Sequence, residues 1–333
     1  MAALSLFLDV PLMREADRLL DAYQEDPSPD KVYLDHWDCQ TETGKVWVCP
    51  TVRQILLQIA NDPTLDHEYL PVLGFPEFTR AATELALGRE SHAVIENRSA
   101  PDCSIVLLHA PEETGLTPKQ WEEVARVMRR KRLFPFFDVP AQGLASGDLD
   151  RDAWALRHFV AQGFELFCAQ SFSKTFGLYN ERVGNLIVVV RDNETLLGIR
   201  SQLQKLVMGM WYTPANLGAR VIATVLNNPA LLSKWKQSLQ TLAERIMLIR
   251  EKLKEKLRIL GTPGCWEHLT AQSGTRSFTG LLQRHKHIYL LGNGQVSVCS
   301  INSHNLDYVA QGINEAVSGR AGRAQGLSWA EME

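Results

Sequence analysis

Short apolar runs alternate with amphipathic segments through the middle of the chain, and this alternation restricts the folds that it can adopt. Each run is short enough to predict a buried strand. The runs are residues 103–109, 133–137, 164–170 and 183–190. Helical periodicity at residues 118–130 and 150–162 separates them, and Thr117 stands at a position typical of a helix cap. Strands alternating with helices predict a mostly parallel sheet in an α/β domain.

Helical periodicity dominates the rest of the chain. Further helices are predicted at residues 12–23, 51–61, 78–87, 193–211, 214–226, 229–260 and 306–317. The helix at 229–260 has an apolar repeat near 3.6 residues and is long enough to link two domains. Residues 288–300 contain a Gly-Asn-Gly turn between two strand-like runs, which predicts a β-hairpin.

Composition narrows the classes of protein that the chain can represent. Its 333 residues are 45% hydrophobic and 22% charged, which is ordinary for a soluble protein of about two domains. A net charge of -3 gives no reason to expect nucleic acid or a membrane surface as a partner. The six cysteines contain no Cys-x-x-Cys pair, which indicates reduced thiols in the cytoplasm. The nine histidines form no ligand cluster with them, so no metal site is expected.

Residues 171–185, Ser-Phe-Ser-Lys-Thr-Phe-Gly-Leu-Tyr-Asn-Glu-Arg-Val-Gly-Asn, carry the most specific pattern in the chain. They follow a predicted buried strand and place Lys174 in a turn, with Arg182 downstream. A lysine amine can form a Schiff base with an aldehyde cofactor, and an arginine can bind a phosphate through paired hydrogen bonds. The local alternative is a surface lysine in a strand-to-helix turn, which is the better interpretation for a bare Ser-x-Ser-Lys.

The whole run resembles the pyridoxal-phosphate lysine loop of the cytosolic aspartate aminotransferases. Other segments are similar to the same family, in the family's order: residues 61–74, 117–121, 132–142 and 286–291. The chain is therefore identified as a shortened and diverged member of the class I pyridoxal-phosphate-dependent aminotransferases.

The resemblance implies the type I pyridoxal-phosphate transferase fold. A large cofactor-binding α/β domain is expected at residues 47–239, internally shortened near residues 98–101 with part of its sheet deleted. A small α+β domain is expected to combine residues 1–46 with 240–318, and residues 319–333 are predicted to be a flexible tail.

The resemblance also implies roles for individual residues. Lys174 is the catalytic residue, which binds pyridoxal 5'-phosphate and then carries a proton. Asp138, at the end of a predicted strand, pairs with the pyridine nitrogen, and Arg182 and Ser171 bind the phosphate. Tyr69 reaches the phosphate of the neighbouring subunit in a dimer. The last four residues also have structural interpretations. Asp138 is then a turn or cap residue and Arg182 forms a surface ion pair. Ser171 is then a turn hydroxyl and Tyr69 a half-buried structural tyrosine. His109 matches a histidine behind the cofactor but is more often a core residue.

The chain departs from the family around the cofactor. Between Arg98 and Pro101 it lacks several tens of residues, which in the family hold a Gly-Thr-Gly loop for the phosphate and the aromatic residue that stacks on the pyridine ring. Residues 112–115, Glu-Glu-Thr-Gly, stand where the family has Asn-Pro-Thr-Gly. Ala141 replaces a tyrosine. These changes remove hydrogen bonds that tune the cofactor.

The substrate-binding positions depart further. Gln295 replaces the arginine that binds the α-carboxylate, and Met208 replaces the arginine that binds the side-chain carboxylate. Trp37 replaces a glycine that leaves room for substrate. Arg276 replaces an aromatic residue, and its positive charge is a candidate substitute for the lost arginines.

Two functions remain open at this point. The first is transamination of L-aspartate with 2-oxoglutarate by an impaired homodimeric enzyme, with amino-acid racemisation as a related reaction. The second is a catalytically degenerate member that acts as a dimer partner for a complete paralogue, or as a cofactor-binding protein.

Overall fold

The computed structural model describes residues 15–65, 68–95, 99–102, 116–281, 286–290 and 294–324. The chain forms two compact units. The smaller unit comprises Met1–Trp37, Ile249–Leu269 and Arg276–Glu333, and the larger unit comprises Asp38–Leu248 and Thr270–Thr275. The sequence places the domain boundaries elsewhere, at residues 46/47 and 239/240, and those boundaries stay a prediction.

The elements are numbered in chain order. The helices are α1 Glu15–Glu25, α2 Pro50–Ala60, α3 Pro76–Leu87, α4 His92–Ile95, α5 Pro118–Lys131, α6 Leu149–Asp152, α7 Trp154–Ala161, α8 Ser173–Phe176, α9 Asn193–Met210, α10 Leu217–Asn227, α11 Pro229–Ile259, α12 His268–Ala271 and α13 Leu306–Ala324. The strands are β1 Val32–Tyr33, β2 Ser99–Asp102, β3 Phe136–Val139, β4 Leu166–Ser171, β5 Gly184–Val189, β6 Arg276–Leu281, β7 Ile288–Tyr289 and β8 Gly294–Ser297. No helix in the described ranges has the length and apolar composition that crossing a membrane requires.

A four-stranded sheet in the order β2-β5-β4-β3 forms the centre of the larger unit. β3 and β4 are parallel, whereas β5 is antiparallel to both β4 and β2. The α/β class predicted from the sequence agrees with the structure. The sequence predicts mostly parallel pairings, but among the described strands of this sheet one pairing is parallel and two are antiparallel. This parallel pair positions the candidate site.

Apolar side chains cover both faces of this sheet. On one face, Cys168 and Ile187 pack with Ala125 of α5 and Phe159 of α7. On the other, Val188 and its neighbours in β5 pack against Leu196 of α9. Because side chains alternate along a strand, two helical layers enclose one sheet, which explains why the central strands β4 and β5 are mostly apolar.

Helix α5 shows how the local sequence sets a helix boundary. The Thr117 hydroxyl accepts a hydrogen bond from the Gln120 backbone N–H at 3.3 Å, and the Gln120 side chain accepts one from the Thr117 backbone N–H at 2.8 Å. Pro118 fills the first helical position, where no N–H donor is needed. The predicted cap at Thr117 is confirmed.

Two local predictions in the larger unit are wrong. The strand predicted at residues 133–137 lies at Phe136–Val139, and Leu133 and Phe134 are 53% and 55% exposed. Asp138 is therefore inside the strand and not at its end. The helix predicted at residues 150–162 is divided into α6 and α7 at Ala153. An apolar or periodic run does not by itself show where the chain bends.

The predicted hairpin at residues 288–300 is also wrong. β7 pairs in parallel with β1, whereas β8 pairs antiparallel with β6, so the two runs belong to different sheets. Gly294, at φ +78°, begins β8, and an added Cβ would lie 2.5 Å from Cε2 of Phe278 in β6. The glycine therefore permits a close strand contact rather than a turn.

The C-terminal helix α13 continues to Ala324, past the predicted start of the flexible tail at residue 319. Other sequence predictions lie outside the described residues. These are the strand at 103–109, His109 and the 112–115 loop.

Candidate active site

Lys174 lies in the short helix α8, directly after β4, and is buried with 9% of its surface exposed. Gly177 ends this helix in the left-handed conformation at φ +69°, and its N–H donates to the Lys174 backbone oxygen at 3.3 Å. An added Cβ at Gly177 would lie 2.4 Å from the Trp47 backbone oxygen. The loop that carries the lysine is therefore held tightly against residues 47–48 of the same unit.

Helix α11 supports the loop from another side. The indole N–H of Trp235, which is 1% exposed, donates to the Thr175 backbone oxygen at 2.9 Å. The rings of Trp235 and Phe176 stack with their centroids 4.7 Å apart. These two contacts hold Thr175 and Phe176, the two residues that follow Lys174, so the lysine backbone has little freedom to move.

Ser171 and Arg182 lie at the same end of the antiparallel pair β4–β5. Ser171 is in register with Gly184, and the pairing extends through a hydrogen bond from the Phe172 N–H to the Val183 oxygen at 3.2 Å. Arg182 directly precedes this point. It is exposed, has φ +52° and donates through Nη1 to the Tyr179 oxygen at 3.2 Å. A hydroxyl and a guanidinium group thus lie at one end of the sheet.

Asp138 reaches the same end from the parallel neighbour β3. It is in register with Ala169, and Ser171 follows two residues later, so Asp138, Ala169 and Ser171 face the same side of the sheet. Burial raises the pKa of the Cys168 thiol, and the Asp138 carboxylate raises it further. Cys168 is accordingly a neutral core thiol and not a nucleophile.

The carboxyl ends of parallel strands are the edge of an α/β sheet where ligands usually bind. At this edge the chain brings together an amine at Lys174, a hydroxyl at Ser171, a guanidinium at Arg182 and a carboxylate at Asp138. An amine, a phosphate-binding pair and an acid for a ring nitrogen are the groups that a phosphate-bearing pyridine aldehyde needs. These residues fit such a cofactor.

The remaining predicted residues lie elsewhere. Tyr69 is 74% exposed, and its ring packs edge to face on Tyr212 with centroids 5.5 Å apart. Met208 is 52% exposed on α9 of the larger unit. Ala141 is half-buried in the loop after β3. His109 is outside the described residues.

Three predicted substrate positions belong to the smaller unit. Gln295 is half-buried in β8, Trp37 follows β1, and Arg276 begins β6. The sequence suggests that the Arg276 charge could replace a lost arginine. Arg276 Nη2 instead donates to Asp35 Oδ1 at 2.5 Å, so that charge is already paired.

Sequence reasoning missed Asp35 and Trp235. Asp35 is 241 residues from Arg276, and Trp235 is 60 residues from Thr175. No short-range pattern connects such distant residues. An aspartate two residues before the diverged Trp37 was the available sequence signal for Asp35.

Comparison with known proteins supports the resemblance that the motifs indicated. The family model for aminotransferases of class I and II matches residues 105–313. The human protein named "Putative aspartate aminotransferase, cytoplasmic 2" is 39% identical over 399 aligned residues, which cover 95% of this chain and 95% of that protein. The alignment is longer than the 333 residues of this chain, so at least 66 aligned positions of the relative have no counterpart here.

Solved structures share the fold. Cytoplasmic aspartate aminotransferase from Giardia lamblia superposes with a TM-score of 0.86 at 28% identity, covering 95% of this chain and 99% of that one. An aromatic-amino-acid aminotransferase from Burkholderia pseudomallei, covalently bound to pyridoxal phosphate, has a TM-score of 0.86 at 24% identity, covering 94% and 100%. The type I transferase fold expected from the sequence is confirmed.

Proposed function

This chain belongs to the class I and II aminotransferases, and we propose that it binds pyridoxal 5'-phosphate through Lys174 and transaminates L-aspartate with 2-oxoglutarate at a reduced rate. The observation that carries the proposal is that Lys174, Asp138, Ser171 and Arg182 all lie at one edge of the sheet.

The bound cofactor would supply an aldehyde carbon and an electron-withdrawing pyridine ring. Lys174 would hold the cofactor through its amine, and the same amine could carry a proton at the substrate α-carbon. Asp138 would pair with the protonated ring nitrogen. Its carboxylate faces the same side of the sheet as Ser171, whose hydroxyl would bind the phosphate together with Arg182.

Reduced activity follows from the substrate positions. Met208 and Gln295 cannot bind a carboxylate as an arginine does, and Arg276 is paired with Asp35. Losing a buried charged partner costs about 2–5 kcal/mol, so two such losses weaken dicarboxylate binding by several orders of magnitude. At least 66 aligned positions of the human relative have no counterpart in this chain, and this loss also favours weaker cofactor binding.

We further propose that the chain is a cytoplasmic homodimer. The relative's name includes "cytoplasmic". Large apolar side chains are exposed along and after α9, which favours a protein interface there. They are Leu206, Met208, Met210 and Tyr212, with Tyr69 packed on Tyr212. In a homodimer Tyr69 would reach the phosphate of the other subunit.

The paired state of Arg276 also favours a second candidate function. A chain in which Asp35 already pairs with Arg276, the candidate substitute for the lost arginines, can bind the cofactor, or pair with a complete paralogue, without turning over aspartate. Co-expression with an intact cytoplasmic aspartate aminotransferase tests the paralogue form. Recovery of homodimers alone would exclude it.

Absorbance separates enzyme from binding protein. Purified chain mixed with pyridoxal phosphate should develop the visible band of a lysine-bound cofactor, and added L-aspartate should convert it slowly while 2-oxoglutarate restores it. A band that aspartate leaves unchanged would support the non-enzymatic function. Absence of the band would refute cofactor binding by this chain.

A further inference from the structure

Arg276 and Asp35 form a buried ion pair inside the smaller unit. Arg276 is 7% exposed and Asp35 is 3% exposed. Nη2 of the arginine donates to Oδ1 of the aspartate at 2.5 Å. Charged groups are rarely buried unless they are paired, so each of these side chains depends on the other.

The guanidinium group is only partly satisfied by this pair. Nε and Nη1 of Arg276 are buried and have no hydrogen-bond partner among the residues that the structure describes. The ring of Trp37 lies over the guanidinium, with 4.4 Å from Cζ to the ring centroid, and Trp37 itself is 50% exposed. The arginine is therefore held by one carboxylate contact and one aromatic face, and the aromatic face reaches solvent.

A carboxylate binds a guanidinium best along one edge, where two parallel N–H groups meet its two oxygens. Nε and Nη2 lie along the same edge of the group. Asp35 binds Nη2, and Nε has no hydrogen-bond partner within the described ranges of the chain. The chemistry is that of a carboxylate-binding site in which a side chain of the protein occupies the position of the ligand.

We propose that Arg276 and Trp37 form a binding site for a small carboxylate and that Asp35 keeps this site closed. Asp35 then blocks the site, because it pairs with the guanidinium group that a carboxylate ligand would need. The proposal concerns residues of the smaller unit alone and does not depend on cofactor binding.

Chemical rescue tests the proposal in the full-length chain. Asp35→Ala removes the internal carboxylate and leaves Arg276 buried and unpaired, which should lower the unfolding temperature by roughly 5–10 °C in sodium chloride. Sodium formate at the same ionic strength should restore most of that loss in a saturable manner. Wild-type protein should show no difference between the two salts.

The double variant Asp35→Ala with Arg276→Met is the matched control. It removes the guanidinium as well, so formate should have no specific effect on it. If the single and double variants respond equally to formate, the effect is not at Arg276 and the proposal is wrong.

A milder variant keeps the proposal testable if Asp35→Ala does not fold. Asp35→Asn has the same shape without the charge, and formate binding to it should change the fluorescence of Trp37, with Asp35→Asn plus Trp37→Phe as the blank. If the variant is destabilised and formate does not specifically restore its stability, the Arg276–Asp35 pair is only a structural contact and the proposal is wrong. A wild-type response equal to that of the variant would also contradict the proposal, since the site would not be closed.

Discussion

The indole N–H of Trp235 donates to the backbone oxygen of Thr175, the residue that follows Lys174, at 2.9 Å. This bond joins the long helix α11 to the loop that carries the candidate catalytic lysine. Trp235 is 1% exposed and also stacks on Phe176. The lysine is therefore positioned by a residue far along the chain.

Trp235→Phe should weaken cofactor retention without removing the aromatic stack. It leaves the Thr175 oxygen buried and unpaired, which costs about 1–3 kcal/mol of unfolding free energy. Urea unfolding and the off-rate of bound pyridoxal phosphate measure the two effects. Trp266→Phe is the control, because its indole also donates to a backbone oxygen, that of Thr262 at 3.3 Å, but in the smaller unit. If both variants lose cofactor at the same rate, the bond to Thr175 has no positioning role.

Gly177→Ala should destabilise the larger unit strongly. The residue has φ +69°, and an added Cβ would meet the Trp47 oxygen at 2.4 Å and the Val48 Cα at 2.6 Å. Neither backbone atom can move without shifting the lysine loop. Gly163→Ala is the matched control, because Gly163 has φ +76° with nothing within 4 Å of an added Cβ.

Left-handed backbone alone costs a non-glycine residue about 1–2 kcal/mol, and this is the loss expected for Gly163→Ala. Gly177→Ala should lose clearly more in a urea unfolding curve. Equal losses would mean that the loop has room to adjust and that the close approach to residues 47–48 is not required.

Asp138→Asn should slow transamination while the protein still binds pyridoxal phosphate. The amide keeps the size of the side chain but cannot stabilise a protonated ring nitrogen. A hydrogen bond to a charged group contributes about 1.5–3 kcal/mol. The single-turnover rate with L-aspartate should therefore fall roughly 10–100-fold. A variant with an unchanged rate would place Asp138 outside the reaction.

Asp26→Asn should lower the stability of the smaller unit at neutral pH, and this loss should become smaller in acid. Hydrogen bonds from the Tyr289 hydroxyl at 2.5 Å, from His287 at 2.7 Å and from the Ser28 N–H at 2.9 Å hold the pKa of Asp26 well below its ordinary value of 3.8. A depressed folded-state pKa stabilises the fold above the unfolded-state pKa, and this contribution is lost as the pH falls towards the folded-state value.

The wild-type and Asp26→Asn unfolding free energies should therefore differ by a constant amount above about pH 5, and the difference should shrink progressively as the pH falls below about 4. Asp30→Asn, at an exposed carboxylate in the same segment, should track wild type throughout. A difference that persists unchanged at pH 3 would show that Asp26 acts through its shape and not its charge.

Local signals predicted much of the fold. Most amphipathic helices lie within a few residues of their predicted bounds, because a helix buries one face and the 3.6-residue period records that face. The cap at Thr117 was predictable because its partner Gln120 is three residues away. The lysine loop was predictable because its residues are contiguous.

The wrong hairpin and the missed Asp35 share one physical cause. The Ile288–Tyr289 and Gly294–Ser297 strands pair with β1 and β6, and no local pattern shows which distant strand completes a pairing. The same limit hid Asp35, whose partner Arg276 lies at the other end of the chain. Contacts between residues that are far apart in the sequence can be identified only from a structure.

The central claim is that the amine of Lys174 attaches covalently to pyridoxal phosphate at the edge of the sheet where Asp138 also lies. Borohydride reduction of the protein–cofactor mixture, followed by peptide mass spectrometry, tests it most directly. The account predicts a pyridoxyl group on the peptide that contains Lys174, and no such label in Lys174→Ala. Labelling of other lysines only, or equal labelling of the Lys174→Ala protein, would contradict it.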